Sequence, residues 1–273
     1  MKSFTKHLPL AVMGLVAAAA LFHGPVAQLP DYHHFADQTH TLGIPHAADV
    51  LSNIGFALVA LWGWWRLGGV HAADRLGRAW PGYRLFLFGL LLTAFGSAWY
   101  HLDPNDASLI WDRLPIALAC AGLLAGAWSD THGCNSAGLS GYLAAFAVFS
   151  VVWWQGTGAG WIAGTAGVGD LRPYLLLQGA PFILIPLWQW LHGSPRAERR
   201  AFGLALLLYA LAKIAELHDH EIAHVLGWLT GHTLKHLLAT AAVSVIVLRL
   251  VRRSSPACEV AAPAVPVISC VHR

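Results

Sequence analysis

Arg84-Leu-Phe-Leu-Phe-Gly-Leu-Leu-Leu-Thr-Ala-Phe-Gly-Ser-Ala-Trp-Tyr-His101 carries one charge, at its first residue, and a histidine at its last. An apolar run of this kind is long enough to cross a bilayer as a helix, for which roughly 20 residues suffice. In lipid the backbone must satisfy its own hydrogen bonds, so the run reads as a membrane helix. Similar runs fall at about 8–23, 48–66, 111–129, 139–155, 173–191, 201–218 and 231–251. The expected fold is an all-α, polytopic membrane helical bundle. Pro115 and Pro173 suit first-turn positions, and Pro181 and Pro186 are expected to kink their helix.

Composition points the same way. Of the 273 residues, 56% are hydrophobic and 11% charged, and mean hydropathy is +0.54. A soluble domain carries about twice that charged fraction. The net charge of +3 comes without a basic patch interleaved with aromatics, so no nucleic-acid partner is expected. The four cysteines, Cys120, Cys134, Cys258 and Cys270, form no Cys-x-x-Cys pair. Neither thiolate zinc nor a structural disulfide is expected from that spacing.

Residues 1–30 read as an N-terminal membrane helix or an uncleaved signal-like segment, since Lys2 and Lys6 precede a short apolar core. Residues 254–273, rich in Ala, Pro and Val, read as a disordered cytoplasmic tail. With the N-terminus inside, all of the 17 Lys and Arg except Arg113, Arg172, Lys213 and Lys235 fall on the cytoplasmic side. The positive-inside rule then puts both termini in the cytoplasm. Short loops and the lack of an organelle signal suit a bacterial inner membrane. The oligomeric state is left open.

This topology places three polar clusters at one level, toward the outer side. Ser97 and His101 end one span, Asp112 follows in the next, and His232 and His236 begin the last. Residues four apart share a helix face, so each pair points one way. His-x3-His alone also fits two packed interfacial histidines, and Asp112 alone fits a first-turn residue paired with Arg113. Five such residues at one depth are harder to explain that way, because ionisable groups in a membrane usually face a functional cavity. Three His, one Asp and one Ser are also the components of a water-activating zinc site. Residue 233 is Thr, so the His-Glu-x-x-His arrangement is missing and a general base must come from another helix. His220 and His224 share the His-x3-His spacing, but with His218, Asp219 and Glu221 they read as a solvated outer loop or lid. The early loop from Asp31 to His46 holds His33, His34, His40 and His46, with Asp31 and Asp37 as its acids. It reads as wet or as a second ion site.

The pattern Ser97-x3-His101, then Asp112-Arg113-Leu114-Pro115, then Gly231-His232-Thr-Leu-Lys-His236 resembles the alkaline ceramidase family. That family belongs to a wider group of membrane hydrolases that includes adiponectin-receptor-like proteins. Leu51-Ser52-Asn53 also matches, and the likeness covers about residues 31–251. It implies a seven-helix ceramidase-like core within residues 31–253, with the first helix as an addition. It further implies His101, His232 and His236 as ligands of a catalytic Zn2+, Asp112 as acid/base and Ser97 as the oxyanion-side hydroxyl. The implied activity is hydrolysis of the N-acyl bond of a ceramide-like membrane lipid to a fatty acid and a sphingoid base. An adiponectin-receptor-like zinc protein, or a hydrolase of another lipid amide or ester, is the alternative; a haem or metal-transport protein is a more distant one. Eukaryotic relatives also bind Ca2+ through an acidic N-terminal segment. Here His34, Ala36 and His46 stand where oxygen ligands would be required, so Ca2+ is not expected.

Overall fold

In a computed structural model, residues 2–69, 74–161, 165 and 167–255 are described, with backbone alone for residues 2–6. The chain is an all-α polytopic helical bundle. Its helices are α1 Lys2–His23, α2 Ala47–Ser52, α3 Ile54–Leu67, α4 Trp80–Leu102, α5 Asp106–His132 and α6 Ala137–Gly158, followed by α7 Arg172–Leu191, α8 Arg196–Leu217, α9 Asp219–Leu226 and α10 Gly231–Arg253. A small antiparallel hairpin, His40–Thr41 with Ile44–Pro45, sits in the loop before α2.

Among the described residues, six segments are long and apolar enough to cross a membrane, or seven if α8 and α9, bent by 85°, form one span. The remaining expected run, at about 8–23, lies within α1, a helix of 22 residues. Of the expected tail, 254–273, the first two residues are ordered against the end of α10, where the Ser254 and Ser255 hydroxyls donate to the Leu250 and Val251 carbonyls; residues 256–273 lie outside the described residues.

Helices α3, α4, α5, α7, α8 and α10 close a ring, each packed on the next and α10 back on α3. α6 covers α5 and α7 from outside, and α1 lies against α7. Large apolar side chains such as Leu58, Trp65, Phe95, Phe149 and Leu207 face outward, as a lipid solvent allows.

The closest pair is α4 with α5, and glycines spaced by seven explain it. A Cβ on Gly82 would lie 2.3 Å from Gly126 N, one on Gly89 2.5 Å from Ala119 N, and one on Gly96 1.8 Å from the Trp111 carbonyl oxygen. Small residues along one stripe let two membrane helices meet backbone to backbone. The turn between them is tight because Asn105 caps α5: its Oδ1 accepts the Ala107 and Ser108 N–H, and Ser108 Oγ accepts the Asn105 N–H. This capping box starts α5 at Asp106, so Pro115 and Asp112 lie inside the helix and not in its first turn, where Pro115 was expected. Pro173 does occupy the first turn of α7, and Pro181 and Pro186 lie within that helix.

At the ring's other end ionic contacts tie four helices. Arg249 pairs with Glu198 at 2.8 Å, and Arg253 pairs with Asp130 at 2.8 Å, where the Tyr83 hydroxyl also donates to Asp130. Cys120 is a free thiol within the bundle, but Cys134 is disulfide-bonded, against expectation. It lies in the loop after α5 and not in the apolar interior, where a thiol would be isolated.

Gly96→Ala should destabilise the protein by about 3 kcal/mol or more, because backbone and not a flexible side chain blocks the methyl group. Thermal unfolding in detergent measures this; Gly138→Ala, with open space around the added Cβ, is the neutral control.

Candidate metal centre

Thr230 caps α10 by accepting the Thr233 N–H at 3.1 Å. That start puts His232 and His236 in the first two turns, on one face. Gly231 permits it, since a Cβ there would lie 2.2 Å from the Ala215 carbonyl oxygen of α8. His101 enters from the last turn of α4. The three histidines converge: one nitrogen from each lies within 4.8 Å of the others, and all three are buried. Among the described residues, this is the one group of His, Cys, Asp and Glu side chains that could hold a metal ion. Phe35, from the N-terminal loop, covers it, with ring centroids 4.6 Å from His101 and 4.5 Å from His232.

Hydrogen bonds orient the rings. Ser52 Oγ lies 2.9 Å from the Asp49 carbonyl oxygen, to which it donates, and 2.7 Å from His236 Nδ1. With the hydroxyl proton on the carbonyl side, Ser52 accepts from Nδ1–H, and that tautomer leaves the Nε2 lone pair for the centre. His236 Nε2 is buried without a hydrogen-bond partner, and so are both ring nitrogens of His101. Unpartnered buried nitrogens are costly, and a cation shared between them removes that cost. Three imidazoles with no thiolate suit a borderline ion with an open position. His232 differs: Lys235 Nζ donates to its Nε2 at 2.8 Å. A metal at that atom requires Lys235 to withdraw toward Glu216, which it already meets at 2.9 Å. Lys213, whose side chain is partly exposed, also pairs with Glu216, so the three residues form one cluster at the edge of the cavity.

The centre opens on a cavity of about 190 Å3 inside the ring. Its polar end is lined by Ser97, Asp112, Glu216, Lys235 and His236. Its other end is lined by Phe86, Leu123, Phe182 and Ile246. Asp112 is 3% exposed, and its Oδ1 has no hydrogen-bond partner. No ion pair joins it to Arg113 among the described residues. Ser97 is buried on the same wall. All five sequence candidates thus lie on or beside one cavity.

The other histidines are elsewhere. His220 Nε2 bonds the His34 carbonyl at 3.0 Å, and His33 contacts Tyr100 and Asp106. Asp219, read from sequence as part of a solvated loop, is instead buried. Its Oδ2 accepts the Ala36 N–H at 2.8 Å and its Oδ1 the His232 N–H at 2.7 Å. It fastens the N-terminal loop to the start of α10. Asp37 serves a similar purpose: it accepts the Thr39 N–H and hydroxyl through Oδ1 and the Asp49 N–H through Oδ2. Burial alone would raise its carboxyl pKa, but these hydrogen bonds, led by the Thr39 hydroxyl, outweigh burial and hold it below its ordinary value. Both Asp37 oxygens therefore have partners already.

Sequence reading missed Phe35, Asp219 and the orienting part of Ser52. Ser52 had a signal, since Leu51-Ser52-Asn53 stood out as a match. Phe35 had none.

No protein-family model matches the chain, and no curated protein or solved structure does either.

Ser52→Ala should keep the fold and weaken metal affinity by about 10–100-fold, the usual effect of removing a group that orients a ligand. Competition with a chelator of known affinity measures it; unchanged affinity would contradict the orienting role. Asp37→Asn should cost about 2 kcal/mol at neutral pH, because the amide nitrogen then faces the Asp49 N–H that Oδ2 accepted. The lowered folded pKa means the stabilisation is complete above the ordinary value of about 3.9 and lost as pH falls through the lower folded value. The gap between variant and wild type should therefore shrink below about pH 4, as denaturation in detergent would show.

Proposed function

We propose that this protein is a zinc-dependent integral membrane amidase that hydrolyses the N-acyl bond of ceramide-like lipids. The observation that carries the reading is the three-histidine group at the polar end of an apolar cavity that also presents Asp112 with an unpartnered Oδ1. The likeness to alkaline ceramidases in the Ser/His/Asp/His/His pattern names the substrate class.

His101, His232 and His236 would hold the ion. Bound there, zinc supplies Lewis acidity that makes water nucleophilic near neutral pH. Asp112 takes one proton from the attacking water and delivers it to the leaving nitrogen. A carbon–oxygen bond forms, the amide carbon–nitrogen bond breaks, and the products are a fatty acid and a free sphingoid amine. Ser97 donates a hydrogen bond to the oxygen that gains charge at the tetrahedral carbon, a contribution of about 3 kcal/mol by analogy with other oxyanion donors. The apolar end receives a lipid chain and keeps water from the reacting carbon. Asp112 suits the shuttle because no cation or donor among the described residues fixes its Oδ1.

The arginines Arg249, Arg252 and Arg253 end α10 at the opposite pole from His232 and His236. By the positive-inside rule we place that pole in the cytoplasm and the metal centre toward the outer side.

Purified protein should release a fluorescent fatty acid from a short labelled ceramide, and a chelator should stop the release. His236→Ala should lose both metal and activity. Asp112→Asn should keep its zinc while turnover falls by about 100-fold or more. A zinc-loaded wild type that cleaves no ceramide would sink the assignment.

A further inference from the structure

Arg113 is a buried cation that the proposed chemistry does not use. It follows Asp112 on α5, is 3% exposed and lines the cavity. Aromatic rings surround its guanidinium: Trp154 at 4.1 Å, Tyr32 at 5.0 Å and Tyr174 at 5.7 Å. Ring faces favour a cation but accept no strong hydrogen bond. Arg113 Nη1 is buried without a hydrogen-bond partner. Among the described residues no carboxylate forms an ion pair with it, although Asp112 is its chain neighbour. Other cations of these helices have a carboxylate partner: Lys213 and Lys235 share Glu216, Arg249 meets Glu198 and Arg253 meets Asp130. A buried charge left unpaired in a membrane protein is expensive and marks a place where a ligand completes the pair.

We propose that Arg113 is the anion-recognition residue of this cavity. It receives the oxyanion of a long-chain amphiphile whose chain lies along the apolar wall. From Arg113 that wall runs down α5 through Cys120 to Leu123, about 15 Å at the helical rise. The guanidinium fork fits a carboxylate or a phosphate in the same way, through paired charge-assisted hydrogen bonds. A carboxylate would come from a fatty acid, including the product of N-acyl hydrolysis; a phosphate would come from a lipid headgroup. The three rings exclude water around the pair and make it stronger than it would be at a surface. The inference rests on reading the cavity as a lipid site, and not on the hydrolysis itself.

The test uses full-length protein in detergent, stripped of metal so that no ion other than protein cations can hold the anion. Dodecanoate, dodecyl phosphate and dodecanol compete with a fluorescent long-chain probe. At least one anion should bind about tenfold or more tightly than dodecanol, and the stronger one identifies the source. Arg113→Met should erase that preference while leaving dodecanol affinity in place; Arg113→Lys should retain part of it. Equal affinity of the wild type for all three compounds overturns the proposal. So does an anion preference that survives in Arg113→Met. If Arg113→Met does not fold, the wild-type comparison and Arg113→Lys still decide. A protein that fails to cleave ceramide leaves this measurement intact, since it reads binding without metal.

Discussion

Backbone contact between α4 and α5 is the constraint on which the rest of this molecule depends. With glycine at 82, 89 and 96 the two helices touch without intervening side chains. In lipid no hydrophobic force draws helices together, so close approach and its dispersion contacts must supply the association. The last glycine, one residue before Ser97 and five before His101, meets the Trp111 carbonyl, one residue before Asp112. The seam therefore sets the register between the helix that delivers Ser97 and His101 and the helix that delivers Asp112 and Arg113. The ring of six helices, and the cavity within it, follow from that register.

Polar groups inside the ring divide into two sets. One set is fully engaged: Asp219 joins the N-terminal loop to α10, Asp37 holds the start of α2, and Glu216 holds two lysines. These groups make the site rigid, because each would be costly to bury alone. The other set holds buried atoms without partners: both nitrogens of His101, His236 Nε2, Asp112 Oδ1 and Arg113 Nη1, together with Gln28 Oε1, Asp49 Oδ2, Asn53 Oδ1, Glu198 Oε2 and Thr240 Oγ1. The first five belong to the histidine group or to residues of the cavity wall beside it, and the others do not. What marks the site is that five such atoms from four residues gather around one cavity.

Much of the fold was legible in the chain. The run ending at His101 and its counterparts predicted membrane helices, and six or seven spans result. His232-x3-His236 predicted two imidazoles on one face, which is helical geometry and needs no tertiary information. The errors were local signals overruled by neighbours. Pro115 resembled a first-turn proline until Asn105 and Ser108 started the helix earlier. Asp219 looked solvated because its sequence neighbours are polar, yet it is buried by Ala36 and His232 from distant segments.

The sequence by itself determined the solvent of this protein, its helical class and the pairing of Ser97 with His101 and of His232 with His236. All of these follow from hydrophobic length and a 3.6-residue period, which are properties of contiguous chain. Tertiary structure alone decided that Ser52 directs the His236 ring from 184 positions away, that Phe35 covers the histidines, and that Lys235 shares His232 with the centre. It also decided that Arg113 turns toward three aromatic rings and forms no ion pair with the adjacent Asp112. Those outcomes depend on distances between residues remote in sequence, and in a medium without water such distances determine which polar atoms find partners and which are left for a ligand.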